Sequence, residues 1–127
     1  MVLVDTSVWI SHLRFGEPRL AELLQEGLVL MHPAVMGELA CGNLRKRQAF
    51  LSDLAELQGA VSASDEEALL FIESRKLWGR GIGWIDAHLL ASSRLSDSFF
   101  WTLDERLKTI CDDAGVKGHP AKSRPSS

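Results

Sequence analysis

Apolar residues fall into two patterns that alternate along this chain. Short runs, "VLVD" at 2–5, "LVLM" at 28–31, the weaker "AVSA" at 60–63 and "FFWTL" at 99–103, have the length of strands. Between them the apolar positions recur at helical spacing. Thr6–Leu13 reads as a short helix with Thr6 or Ser7 near its cap. Pro18 opens a second helix that carries Leu20, Leu23 and Leu24 on one face and stops at Gly27. Pro33 and Gly42 punctuate a third, and Arg45–Leu57 forms a fourth that buries Phe50, Leu54 and Leu57. Ser64 and Glu67 have capping-box spacing, which predicts a helix running to about Trp78. "GRGIG" breaks the pattern before helices at 84–95 and Asp104–Ala114, the last followed by Gly115. Strand–helix alternation with short apolar strands predicts an α/β fold, with a parallel sheet covered on both faces.

Composition adds bounds. A chain of 127 residues, 46% apolar and 24% charged, makes one globular domain. Nothing approaches the roughly 20 apolar residues of a membrane span, and no basic-then-apolar leader opens the chain, so a cytoplasmic location is expected. Cys41 and Cys111 lack C-x-x-C spacing and nearby histidines, which predicts reduced, packed thiols and no zinc site. The closing "KGHPAKSRPSS" is polar and rich in Pro and Ser. It predicts a domain over residues 1–118 and a flexible tail over 119–127.

A net charge of −3 does not advertise a nucleic-acid partner. The acidic residues are placed unusually, however. Asp5 ends the first strand, and Asp104 follows the strand at 99–103. In a parallel sheet, ligands bind beyond the carboxyl ends of the strands, so both acids point to one rim. Asp86 lies in the first turn of its helix, and Glu38 interrupts an otherwise apolar one. Taken singly, Asp5 and Asp104 could serve as helix caps, Asp86 could complement a helix dipole, and Glu38 could lie half-exposed. Together, crowded carboxylates repel one another unless a cation relieves them, and an oxygen-only donor set selects Mg²⁺, with Mn²⁺ able to substitute. A carboxylate-held Mg²⁺ suits phosphodiester hydrolysis by activated water. With four carboxylates so committed, 13 acidic residues would face 14 basic ones, leaving a nearly neutral surface for a substrate.

The stretches "VLVDTSVWI", "GEL", "GIGWIDAHLLA" and "FFWTLDERL" together resemble the PIN-domain nucleases, most closely the VapC-type ribonuclease toxins. That resemblance implies a three-layer α/β/α sandwich around a short, mainly parallel sheet. It further implies metal-dependent endoribonuclease activity on RNA, a homodimer, and a small VapB-type antitoxin that blocks the site. Carried over by position, Asp5 and Asp86 are the principal metal ligands, Glu38 and Asp104 complete the acidic set, and Ser7 and Thr102 are supporting hydroxyls.

Other residues have plainer readings. Arg45, Lys46 and Arg47 read as a solvated helix end, and His88 as a hydrogen-bonded structural histidine. Arg106 either neutralises the acids, touches phosphate or forms a surface ion pair. Trp9, Trp84 and Trp101 read as core. Alternatives to a toxin are a PIN-type RNA-processing or DNA nuclease without antitoxin, and a non-catalytic binding module. A phosphoryl-accepting receiver fails because Thr6 and Ser7 follow Asp5 and the late strand leads to Asp104 where a Lys is needed; a dehalogenase-like phosphatase needs its second Asp where Ser7 stands.

Overall fold

The computed structural model describes residues 1–119. Five short strands form one sheet: β1 (Val2–Val4), β2 (Val29–Met31), β3 (Gln58–Gly59), β4 (Phe99–Trp101) and β5 (Lys117–Gly118). Their order is β3-β2-β1-β4-β5, and every neighbouring pair is parallel. β1 is central, with Leu3 level with Leu30 on one side and Phe100 on the other. Its three residues are all buried, because helices cover both faces and neither face meets water.

Seven helices supply that cover: α1 (Thr6–Phe15), α2 (Pro18–Gln25), α3 (Pro33–Ala40), α4 (Arg47–Ala55), α5 (Asp65–Arg75), α6 (Trp84–Leu95) and α7 (Glu105–Ala114). The chain steps from β1 outward to β3, then crosses back over the sheet to β4 and on to β5. Right-handed crossovers therefore put α1–α4 on one face and α5–α7 on the other, giving the three-layer α/β/α sandwich. Contacts between α1 and α3, α3 and α4, α5 and α6, and α6 and α7 follow that division. Trp9, Leu20, Leu23 and Val35 bury one face, and Leu89, Leu90, Leu107 and Ile110 the other. No helix among the described residues is long and apolar enough to cross a membrane.

Several elements shift from their expected places. The third strand is Gln58–Gly59, not 60–63. Ala60 still donates to Met31 O, but Val61 and Ala63 turn to side chains of α6 and its C-cap, Val61 to Ser96 Oγ at 2.8 Å and Ala63 to Ser92 Oγ at 2.9 Å. The fourth strand ends at Trp101, since Thr102 and Leu103 leave the ladder to serve the site described below. α4 begins at Arg47, whose guanidinium reaches back to Ala40 O and satisfies the end of α3. α5 stops at Arg75, where Lys76 turns left-handed at φ 54°. Lys117 and Gly118, for which no strand was expected, add β5 to the sheet edge, and His119, the first residue of the expected tail, donates its N–H to Phe100 O. The remainder of the predicted tail, 120–127, lies outside the described residues. Cys111 is buried, whereas Cys41 is exposed, contrary to the packed thiol expected there.

Beneath the sheet's carboxyl edge, buried His32 caps α3, its Nδ1 accepting from Ala34 N at 3.0 Å while Nε2 meets Ser92 Oγ at 3.1 Å. Burial, and secondarily the charge of His88, lower its pKa. A histidine whose folded pKa lies below its unfolded value of about 6.5 contributes stability that is complete above that pH. The contribution is lost as pH falls from there toward the folded pKa. The melting temperature of the protein is therefore expected to fall on acidification below pH about 6.5. His32→Asn keeps an acceptor for Ala34 N and should flatten that slope, which thermal melts across the range will test. An unchanged slope would assign the pH dependence elsewhere.

Candidate active site

The strand order reverses between β1 and β4, and a crevice opens beyond the carboxyl ends of strands at such a switch point. There Asp5 N donates to Trp101 O at 2.9 Å, stitching the two strand ends together. Asp5 occupies the N-cap position of α1 but makes no capping bond. Its Oδ2 instead accepts from Ser7 Oγ at 2.8 Å and Thr102 Oγ1 at 2.7 Å. The carboxyl is largely buried, with 8% exposure, so these hydroxyls replace the water it has lost. Thr102 Oγ1 also accepts from Asp104 N at 3.1 Å, and Ser7 Oγ from Leu103 N at 3.1 Å. Two hydroxyls thus link the carboxylate after β1 to the backbone after β4.

Asp104 is the N-cap of α7, with Oδ1 accepting from Arg106 N at 2.9 Å and Leu107 N at 3.3 Å. Asp86 sits in the first turn of α6, and its Oδ2 accepts from Gly83 N at 3.1 Å. Glu38 projects from α3, where Oε1 accepts from Thr6 Oγ1 at 2.9 Å. Each of the four carboxylates is therefore oriented through one oxygen. The second oxygen of each, Asp5 Oδ1, Asp86 Oδ1, Asp104 Oδ2 and Glu38 Oε2, accepts no hydrogen bond among the described residues.

Electrostatics tie three of the acids together. The Asp86 carboxyl is pushed above its ordinary pKa first by burial and then by the charges of Asp5 and Asp104, against the Gly83 N–H and Arg106. Glu38 stands apart, exposed and absent from those neighbours, held beside Asp5 through Thr6. Asp5 is buried and Asp86 half-buried, while Asp104 and Glu38 are exposed. Among the described residues, no three Asp, Glu, His or Cys side chains close into a finished metal cage. The donor chemistry nevertheless fits a hard divalent cation: oxygen only, crowded negative charge, and one unengaged oxygen per carboxylate.

Arg106 reaches across from α7, its Nη1 donating to Gly81 O at 2.9 Å. It pins the loop that leads into Asp86. A Cβ at Gly81, whose φ is +82°, would lie 3.0 Å from Arg106 Cδ and Nη1. Gly81→Ala is accordingly expected to cost about 1–2 kcal/mol in chemical denaturation, from the left-handed backbone and the displaced arginine. Wild-type stability in this variant would show that the loop tolerates rearrangement. His88 is tied to Asp65 at 3.0 Å, as expected of a structural histidine. Trp84 departs from expectation: 43% exposed, it packs edge-on to His88 near the surface instead of entering the core as Trp9 and Trp101 do. Its place at the very start of α6 leaves only one turn of helix to cover it.

Sequence reasoning overlooked Thr6, which fixes Glu38, and the Arg106–Gly81 tie. Thr6 read as a capping residue because its partner lies 32 positions away.

This geometry agrees with the family comparison. The chain matches the PIN domain over residues 2–113 and belongs to that family. Its similarity extends to Ribonuclease VapC32 of Mycobacterium tuberculosis, in strains H37Rv and CDC 1551 / Oshkosh. The identity is 45% over 117 residues, spanning 91% of this chain and 94% of that protein. Among solved structures, a chain from FitAB bound to an IR36 DNA fragment superposes with a TM-score of 0.65 at 17% identity, over 94% of both chains. FitAcB from Neisseria gonorrhoeae gives 0.63 at 20% identity, over 93% of this chain and 96% of that one. These two likenesses establish the shared fold.

Proposed function

We propose that this protein is a divalent-metal-dependent endoribonuclease, the VapC-type toxin of a toxin–antitoxin pair. The observation that carries the proposal is the set of four carboxylates from four separate elements, each held by one oxygen and unengaged at the other. Similarity to a named ribonuclease over nearly the whole chain supports the substrate class.

In this assignment Asp5, Asp86, Asp104 and Glu38 would hold Mg²⁺, or Mn²⁺ in its place. The cation would supply Lewis acidity and an activated water for in-line attack at phosphorus. Ser7 and Thr102 orient Asp5, Gly83 N orients Asp86, Thr6 orients Glu38, and the α7 amides orient Asp104. Their part is to prevent the carboxylates from rotating apart under mutual repulsion. Arg106 offsets some of the negative charge and holds the Asp86 loop in place.

RNA is the substrate in this proposal, a VapB-type antitoxin the partner, and the cytoplasm the working compartment. A homodimer is supported by the exposed apolar residues Leu69 and Leu70 on α5 and Leu95 on α6. Sedimentation at micromolar concentration should show the dimer, and a monomer there would count against it. For the activity itself, the protein is freed from its co-expressed partner and incubated with total RNA. Cleavage should require Mg²⁺ or Mn²⁺ and stop in EDTA. Cleavage that survives EDTA, or none with metal present, would refute the assignment.

A further inference from the structure

Arg106 stands between two of the acids. Its backbone N–H donates to Asp104 Oδ1 at 2.9 Å, and its side chain crosses to the loop that carries Asp86, where Nη1 donates to Gly81 O at 2.9 Å. Its charge is among those that act on the Asp86 carboxyl. Among the described residues, however, Arg106 forms no ion pair with any carboxylate, so a surface ion pair is not its role. Arg80, on the same loop as Gly81, behaves otherwise: its Nη1 is paired with Asp113 Oδ2 at 2.8 Å. Arg106 is exposed, and its Nε and Nη2 have no acceptor among the described residues. The bare backbone of Gly81 permits this placement, since a Cβ there would lie 3.0 Å from Arg106 Cδ and Nη1. A guanidinium tied through one nitrogen to a neutral carbonyl keeps its charge, and most of its five N–H donors, for another acceptor.

We propose that Arg106 is a catalytic residue of the cleavage reaction, holding the phosphate that is cut with Nε and Nη2 while Nη1 stays on Gly81 O. The inference rests on the endoribonuclease assignment and adds a direct substrate contact to it. Hydrolysis adds water across one P–O bond of the strand and leaves a phosphomonoester and a hydroxyl. On the way, negative charge builds on the non-bridging oxygens, and donors already in place stabilise it without reorganisation. The carboxylate rim opposes that charge, and Arg106 is a fixed positive group at the same rim. Its Nε and Nη2 edge presents two parallel N–H bonds that match two phosphate oxygens. A carboxylate of another protein could meet the same edge, but the reaction itself brings a phosphate here.

The test separates contact with the phosphate from support of the Asp86 loop. Arg106→Gln should lower single-turnover cleavage in Mg²⁺ about 100-fold or more. Arg106→Lys, which keeps the charge and loses the fork, should fall between that variant and wild type. Mn²⁺ affinity of Arg106→Gln, titrated without RNA, should match or exceed wild type, because a positive charge has left the carboxylates. Weaker Mn²⁺ binding, with cleavage restored by excess Mn²⁺, overturns the contact and leaves Arg106 as a positioning residue for Asp86. Thermal melts check the fold, and Arg106→Lys, which can still donate to Gly81 O, carries the test if Arg106→Gln is destabilised. The second readout uses an RNA oligonucleotide spanning a cut mapped in total RNA, with either phosphorothioate diastereomer at that bond. One diastereomer should slow wild type more than Arg106→Gln, in Mg²⁺ and Mn²⁺ alike. Equal thio effects in the two proteins overturn the contact. Cleavage by Arg106→Gln at the wild-type rate also overturns it and leaves the endoribonuclease assignment standing. If wild-type protein itself cuts no RNA with metal present, the assignment falls and the catalytic role of Arg106 falls with it.

Discussion

Asp5→Asn is expected to lower RNA cleavage about a thousandfold or more while the protein stays folded. Loss of one ligand to a catalytic cation removes several kcal/mol of transition-state stabilisation, and each 1.4 kcal/mol is about tenfold in rate. The fold survives because the asparagine side-chain oxygen can still accept from Ser7 Oγ and Thr102 Oγ1, as Asp5 Oδ2 does. Removing one charge from the crowded rim also relieves the repulsion that Asp5 exerts on Asp86. The melting temperature should therefore hold or rise while activity collapses, a division that a folding defect cannot produce. Single-turnover cleavage assays and thermal melts on the same preparation are sufficient. Cleavage at wild-type rate would remove Asp5 from the chemistry.

The second large effect is expected at Thr102, which touches no substrate in this assignment. Thr102→Val keeps the shape and deletes one hydroxyl, which both donates to Asp5 Oδ2 and accepts from Asp104 N. Thr102 is buried, so water cannot replace those bonds. Leaving buried partners unsatisfied costs about 1–3 kcal/mol in stability. Loss of a residue that orients a metal ligand costs about 10- to 100-fold in metal affinity or activity. Mn²⁺ titration should show weaker binding, and raised Mn²⁺ should restore part of the cleavage rate. Thr102→Ser, which keeps the hydroxyl, should stay near wild type. Equal damage from Ser and Val would mean that the methyl group's packing matters and the hydroxyl does not.

Much of the site was legible in the sequence because its acids are anchored to local features. Asp5 and Asp104 follow apolar strand runs, and Asp86 follows a glycine-rich break at a helix start. A charge in such a place is conspicuous. Ser7 lies two residues from the Asp5 carboxylate it supports, whereas Thr102 reaches the same carboxylate across 97 positions and was singled out only through the resemblance. Thr6–Glu38 and Arg106–Gly81 were not, because the partners are 32 and 25 residues apart and no local pattern records them. The misplaced third strand has a similar cause. Residues 58–63 carry little hydrophobic signal, and the pairing of Gln58 with Leu30 is decided by the neighbouring strand. Lys117 and Gly118 carry no strand signal of their own and become one only because β4 offers them an edge.

By itself the sequence determined the seven helices, the three most apolar strands and the burial of both sheet faces, and it singled out the four acids as candidates. Those follow from side-chain period, caps and breakers, which act over a few residues. Only the tertiary structure decided that β1 and β4 lie side by side, so that acids 99 positions apart share one rim. It alone decided which oxygen of each carboxylate is engaged, that Trp84 lies near the surface, and that Arg14 and Arg45 line one groove. Such outcomes depend on the chain closing on itself, where a residue's environment comes from distant neighbours and no longer from the spacing around it.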